Sequence, residues 1–292
     1  MNAKKILLTG ASGFTGKYLY KELIASGFEV SALTNNLQVD GKRVDIVDRE
    51  SVFCIFEKIK PDCVIHLAGV SSVTAADYQA IYRTNVEGTR VLAEACRQYC
   101  VGKFIFSSTS NVYGSTKEEV LNESARIDLR NDYAVSKYAA ELVLALFKND
   151  FEITIVRPFN YTGRGQAQTF LIPKIVEAFR NKQPELELGN LNVSRDFSDV
   201  RDVASVYARL VDLPSNFDII NICSGRAYSI GQIVKICSSL THHDVHIKTN
   251  PHFVRKNDIL KQCGDADLLN AKMGVNFKRR MLSETLHWMI FP

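Results

Sequence analysis

An apolar run from Lys5 to Thr9 breaks on Gly10-Ala11-Ser12-Gly13-Phe14-Thr15-Gly16, and apolar residues then recur at helical spacing as far as Ser26. Strand, glycine turn and helix in that order narrow the choice of fold sharply. Glycines let a backbone come close to a pyrophosphate, and the free amides and dipole of a helix N-terminus favour negative charge. A plain βα turn is the alternative. The context favours a dinucleotide-binding turn, with Gly10, Ser12, Gly13, Phe14, Thr15 and Gly16 as cofactor contacts.

The chain continues as alternating strands and helices, which predicts an α/β fold: a Rossmann-type, doubly wound parallel sheet followed by a smaller substrate-binding domain. Glu29 to Thr34 reads as the second strand. Its end is where such folds choose between cofactors, because an acid there bonds the ribose of NAD and repels a 2′-phosphate. Here Leu33-Thr34-Asn35-Asn36 has no acid. The expected cofactor is NADP or NAD, with NADPH favoured and with Thr34 and Asn35 beside it. Val44 to Asp48 is expected as a short strand in which Asp45 either meets the adenine edge, next to Ile46, or caps the helix near Ser51. Asp62 to Leu67 is a further strand. It ends in His66-Leu67-Ala68-Gly69, where the small residues let a cofactor lie against the strand end and His66 reads as a packed strand residue. Asn85 to Cys100 is expected as one helix, Lys103 to Ser107 and Glu152 to Arg157 as strands, and Phe217 to Ile222 as a strand returning to the main sheet. The predicted domains are 1–160, joined by that returning strand, and 161–292.

Tyr133-Ala134-Val135-Ser136-Lys137 lies in a segment, Asp132 to Phe147, that reads as a helix. Residues at i and i+4 share a face, so the phenol and the ammonium can point into one pocket. A free tyrosine has a pKa near ~10, and a fixed cation beside it favours the phenolate; lowering it by ~3 units takes roughly 4 kcal/mol. Such a pair is poised to deliver a proton to a ketone oxygen. A hydroxyl cluster, Ser107-Ser108-Thr109-Ser110, leaves the carboxyl end of a predicted strand, where open α/β sheets gather their ligands.

Composition sets the remaining bounds. The chain has 292 residues, 46% hydrophobic and 23% charged, with a formal charge of +4. It is expected to be soluble and cytoplasmic, without a signal peptide or membrane span, and better suited to anionic small molecules than to nucleic acid. Seven cysteines without a Cys-x-x-Cys pair suggest neither a disulfide framework nor zinc. The cluster Thr241-His242-His243-Asp244-Val245-His246 lacks a converging ligand set, so no metal is expected.

Taken together, the glycine turn, His66-Leu67-Ala68-Gly69, Asn85-Val86, the hydroxyl run before Val112-Tyr113-Gly114, Tyr133-x-x-x-Lys137 and Arg157-Pro158 resemble the extended short-chain dehydrogenase/reductases that act on nucleotide sugars. The resemblance runs from about Lys5 to Phe291. It implies that Thr109 holds the substrate oxygen, Tyr133 acts as acid or base, and Lys137 binds the nicotinamide ribose and tunes Tyr133. Asn85 would support that network, and Leu67, Ala68, Gly69 and Arg157 would join the cofactor contacts. Sugar-nucleotide 4,6-dehydratases of this family carry Asp-Glu after the threonine; Ser110-Asn111 stands here, which disfavours dehydration and leaves reduction or epimerisation.

The stretches Arg157 to Gln166 and Ser194 to Val203 resemble GDP-4-keto-6-deoxy-D-mannose reductases. That likeness implies substrate contacts from Ser110, Asn111, Asn160, Lys174, Arg195, Arg255 and Asp258. The implied reaction is NAD(P)H-dependent reduction of a nucleotide-linked 4-keto-6-deoxyhexose, leading to GDP-D-rhamnose. A 4-epimerase and a non-catalytic dinucleotide-binding module are the alternatives. A homodimer is implied as well, built as a four-helix bundle from Asn85–Cys100 and Asp132–Phe147 of two copies.

Overall fold

The computed structural model describes residues 3–34, 38–39, 42–71, 77–115, 119–253 and 260–291. The chain divides into two compact units that interleave along the sequence rather than meeting at a single cut. Unit one comprises Met1–Thr116, Arg126–Pro158 and Ala204–Ile220; unit two comprises Lys117–Ala125, Phe159–Val203 and Asn221–Pro292.

Unit one carries β1 (Lys5–Thr9), α1 (Phe14–Ala25), β2 (Glu29–Leu33), α2 (Arg49–Ile59), β3 (Cys63–His66), α3 (Gly88–Gln98), β4 (Lys103–Ser107), α4 (Asp132–Ala145) and β5 (Glu152–Pro158). The strand Asp218–Ile222, here β6, completes a six-stranded sheet in the order β6-β5-β4-β3-β1-β2. The pairings from β2 through β5 are parallel. Parallel strands are covered on both faces and therefore read as continuous apolar runs, as in β3, all four of whose residues are buried. Leu7, Val64, Phe104, Phe106, Ile153 and Ile155 point to one face, where they meet Phe56, Leu92, Cys96 and Leu144 from the helices.

Strand order reverses between β1 and β3, so the carboxyl ends of these two neighbours flank the crevice where open sheets bind ligands. The expected strand at Val44–Asp48 does not form, and the sheet ends on β2. Val44 and Ile46 are instead drawn under the helices as core residues, and the chain turns with the Asp48 amide bonded to the Asp45 carbonyl. Asp48, not Asp45, caps α2 by accepting from the Ser51 amide and hydroxyl.

Asn85–Cys100 is not one regular helix. Arg83–Glu87 forms a π-turn before α3, and the Gly88 amide reaches back five residues to the Arg83 carbonyl. Turns of this kind cluster at functional positions. Ahead of α4, Asn131 caps the helix, its side-chain oxygen accepting from the Ala134 amide at 2.8 Å, which fixes the start of the turn bearing Tyr133.

Unit two centres on the strand Ser194–Asp199, which pairs in parallel with Asn160–Thr162 and Lys261–Gln262 and antiparallel with Ala227–Ser229. The helices Leu171–Arg180, Ile230–Thr241 and Leu282–Ile290 enclose a separate core that includes Ile175, Phe179, Ile233 and Leu286. Ser229 and Gln232 form a reciprocal capping box at the second of these helices.

Candidate active site

The glycine turn is built for close approach. Gly10 has φ +71°, and a Cβ there would lie 2.7 Å from the Ala68 nitrogen and 2.9 Å from the Leu67 carbonyl carbon. At Gly16 a Cβ would sit 2.2 Å from the Gly10 oxygen. A side chain at either position would push the ends of β1 and β3 apart or break the turn into α1. Gly13 is the N-cap of α1 and makes no side-chain cap, so the N-terminus of the helix follows directly on the glycine turn. Ser12, Phe14 and Thr15 sit on this turn, with Phe14 edge-on to Tyr18. The cradle fits a dinucleotide pyrophosphate. Thr34 follows β2, and Asn35 lies outside the described residues. Asp45 is exposed, its carboxylate accepting from the Val47 amide and standing 3.7 Å from Arg83. Ile46 packs where a Cβ on Gly88 would touch it.

Unit one also carries the catalytic candidates Thr109, Tyr133 and Lys137. Thr109 leaves β4 in an extended conformation and caps the short turn Ser110–Tyr113. Its hydroxyl oxygen accepts from both the amide and the side-chain nitrogen of Asn111, at 3.2 and 3.1 Å. With its lone pairs engaged, the hydroxyl proton is available to donate. Asn111 is thus turned onto Thr109, and Ser110 is buried.

Tyr133 is half-buried on the first turn of α4, and Lys137 is buried one turn further on. The Lys137 ammonium lies 4.2 Å from the Phe106 ring centroid. Burial lowers its pKa from 10.5 to about 7, against the opposing charge of Glu141. Its neighbour on the strand side is Gly69, where a Cβ would come within 3.8 Å of the nitrogen and 2.8 Å of the Asn85 oxygen. Asn85 does not bond the tyrosine or the lysine directly. Its amide oxygen accepts from the Val70 amide, and its nitrogen donates to the Val70 carbonyl and to the Ser136 hydroxyl. Ser136 then donates to the carbonyl of Tyr133 at 2.8 Å.

Arg157, expected among the cofactor contacts, has a guanidinium engaged by other side chains of unit one. Its guanidinium is buried, with Nε and Nη2 holding both carboxylate oxygens of Glu141 at 3.0 and 2.5 Å and Nη1 donating to the Tyr113 hydroxyl. Ser108 donates to the same carboxylate. Pairing with a buried acid is the low-energy solution for a guanidinium in this strand, whose residues from Ile153 onward are all buried. Glu141 was passed over in the sequence, yet it lies one turn beyond Lys137 and two beyond Tyr133 on the same face, and an acid there was the available signal.

In unit two, Asn160 donates to the Asp196 carbonyl. Lys174 donates to the Glu187 carbonyl and covers the Phe253 ring at 4.2 Å. Arg195 donates to the Ser194 carbonyl. Asp196 is not its ion partner: the carboxylate is buried and accepts from the amides of Ser224, Gly225 and Gly264. Arg201 forms a two-armed pair with Asp199 at 2.9 and 2.6 Å. Arg255 and Asp258 lie outside the described residues.

A doubly wound sheet, a glycine turn between its first strand and helix, a threonine leaving β4 and a tyrosine and lysine one turn apart on α4 are the features of an NAD(P)-dependent oxidoreductase. Residues 6–231 match the NAD dependent epimerase/dehydratase family, and the chain belongs to that family. It is 36% identical over 279 residues to the GDP-6-deoxy-D-talose 4-dehydrogenase of Aggregatibacter actinomycetemcomitans, covering 94% of this chain and 92% of that one. Identity is 32% over 265 residues to the GDP-6-deoxy-D-mannose reductase of Pseudomonas aeruginosa, with 87% and 85% covered. Among solved structures, the RMD protein of Pseudomonas aeruginosa complexed with NADPH superposes with a TM-score of 0.86 at 29% identity, covering 99% of this chain and 96% of that one. The UDP-glucose 4-epimerase of Thermotoga maritima with UDP-glucose gives 0.88 at 27% identity, covering 98% and 97%. No helix among the described residues is long and apolar enough to cross a membrane.

Proposed function

We propose that the protein reduces the C4 ketone of a GDP-linked 4-keto-6-deoxyhexose with NADPH or NADH. The observation that carries this reading is Thr109 at the end of β4 and Tyr133 and Lys137 one turn apart on α4, without a carboxyl acid beside the threonine, in a chain 36% and 32% identical to two enzymes named for GDP-6-deoxyhexoses. A dinucleotide held by its pyrophosphate at the glycine turn would supply hydride from its nicotinamide. Thr109 donates a hydrogen bond to the ketone oxygen, and Tyr133 gives that oxygen its proton. The buried Lys137 lies one helical turn from Tyr133 and one from Glu141, so its charge would favour the anion the phenol leaves behind. Ser110 and Asn111 cannot take the parts of a dehydratase acid and base, so the chain accepts a ketone made elsewhere.

The two named products, 6-deoxy-D-mannose and 6-deoxy-D-talose, differ only at C4 and correspond to reduction of one ketone from opposite faces. The family motifs point to GDP-D-rhamnose; the identity to the talose enzyme supports the C4 epimer as a second reading. A test mixes the protein with GDP-4-keto-6-deoxy-D-mannose and reduced cofactor, follows absorbance at the nicotinamide band and identifies the C4 configuration by NMR. Oxidation of cofactor in proportion to product supports a reductase. Interconversion of sugars without net cofactor use would replace this reading with a 4-epimerase.

For the substrate diphosphate, Arg195 is the guanidinium in unit two that we assign to binding, with Asn160, Lys174, Arg255 and Asp258 completing the proposed set. The protein is taken to work in the cytoplasm, a setting suited to seven free cysteines. It is also taken to be a homodimer formed through α3 and α4. Leu142 on α4 and Leu146 at its C-cap are 55% and 69% exposed, an apolar pair suited to such a contact.

A further inference from the structure

His66 has no solvent exposure and stands at the end of β3 between two hydroxyls. Nδ1 is 2.7 Å from the Thr9 oxygen, and Nε2 is 3.1 Å from the Thr89 oxygen. The Thr89 hydroxyl has a single proton, which it donates to the Asn85 carbonyl at 2.6 Å. Toward the imidazole it can only accept, so Nε2 carries the proton. Burial and the Lys137 cation both oppose a second proton on the ring, whose pKa falls well below its ordinary value. Nδ1 is therefore bare and accepts from Thr9, whose oxygen in turn accepts from the Ala68 amide at 3.1 Å.

Every donor in this chain has one direction. It runs from the Ala68 amide through Thr9 and the imidazole to Thr89 and the Asn85 carbonyl. At one end, Ala68 abuts Gly10, forming the floor under the glycine cradle. At the other end, Asn85 sits in the π-turn and holds Ser136, which bonds the backbone of Tyr133. We propose that His66 is a positioning residue: a neutral, Nε2-protonated imidazole that couples the strand ends beneath the dinucleotide to the π-turn steadying the Tyr133 helix. The imidazole touches neither cofactor nor substrate in this role. Its rate effect rests on the reading of Tyr133 as proton donor; its structural and binding effects do not.

The two nitrogens can be separated by substitution. In His66→Asn, the side-chain oxygen can take the place of Nδ1 opposite Thr9; in His66→Gln, the side-chain nitrogen can take the place of Nε2 opposite Thr89. His66→Asn should keep NADPH affinity within about threefold while turnover falls about tenfold, the effect of one lost hydrogen bond. His66→Gln should show the reverse split, and His66→Leu should lose both. NADPH affinity is read by fluorescence titration and turnover with the keto sugar. On the unmodified protein, long-range ¹H–¹⁵N NMR should show an Nε2–H ring that does not titrate between about pH 5 and pH 8, the range in which an ordinary histidine changes charge. An Nδ1–H tautomer, a titrating ring, or three variants that lose affinity and turnover in parallel would overturn the proposal. Should the unmodified protein fail to reduce the sugar, only the functional reading fails, and the NMR and NADPH measurements still decide the role of His66.

Discussion

Replacing Glu141 by leucine would leave the Arg157 guanidinium enclosed in β5 without its carboxylate. In the native protein the pair has side-chain exposures of 3% and 5%, with two arms at 3.0 and 2.5 Å. Removing one partner of such a buried pair costs about 3–5 kcal/mol, because the remaining charge is neither solvated nor paired. Replacing both by apolar residues of similar size removes the charge and the penalty together. Glu141→Leu should therefore lower stability by about 3–5 kcal/mol, while Glu141→Leu with Arg157→Met should recover most of that loss. Urea denaturation followed by circular dichroism, for the two single variants and the double, gives the coupling directly. The Tyr113 hydroxyl and the Ser108 hydroxyl lose a partner in these variants, so recovery should fall short of complete by about 1 kcal/mol. A single variant that loses less than about 1 kcal/mol, or a double no better than the worse single, would refute the reasoning, since the carboxylate would then not be what makes the buried guanidinium tolerable.

Tyr133→Phe should keep its fold and its NADPH affinity but turn over at least ~100-fold more slowly, the scale of lost general acid catalysis; a steady-state assay with the keto sugar checks it. Gly16→Ala places a Cβ 2.2 Å from the Gly10 oxygen, a backbone atom that cannot step aside, and should weaken NADPH binding at least about tenfold by fluorescence titration. Reduction needs Lys137 charged, so kcat/KM should fall as pH rises through about 7, the value to which burial lowers that lysine. The same shift has a stability signature: the folded chain releases this proton near pH 7 and the unfolded chain near 10.5. Stability contributed at this site therefore rises with pH across that window, and Lys137→Met should flatten the rise in urea titrations at several pH values. Arg195→Ala should weaken GDP binding by about 2 kcal/mol in calorimetric titration while leaving NADPH affinity unchanged.

Some of this was legible in the chain and some was not, for identifiable reasons. Gly13 and Gly16 stand out in the sequence because their requirement is local, the nearest atoms being Gly10 and Ala11 of the same turn, whereas Gly10 is also crowded by Leu67 and Ala68 after β3. Tyr133 and Lys137 are likewise fixed by helical spacing. The pairing of Arg157 with Glu141 was not legible, because the two are sixteen residues apart and meet only through the packing of α4 on the sheet. The strand expected at Val44–Asp48 failed for a related reason: its apolar alternation suits a strand, but Val44 and Ile46 satisfy their burial beneath the helices instead. The π-turn at Arg83–Glu87 leaves no mark in residue periodicity over so short a span. His66 was read as a packed strand residue, which it is, but its two hydroxyl partners are 57 and 23 positions distant and could not be inferred from spacing.

The strand β6 occupies the edge of the sheet beside β5 but is encoded about sixty residues after it, once most of unit two's central strand and first helix have been passed. During synthesis, at ~5–20 residues per second, β5 emerges with one ladder of amides and carbonyls unpaired for roughly 3–12 seconds. A nascent chain in that state offers a buried, strongly apolar strand as a template for any passing β segment. The protein's demand on chaperones in the cell should thus be concentrated in the interval between translation of Pro158 and of Ile222, and slow codons in that interval should lower its soluble yield more than the same codons placed elsewhere.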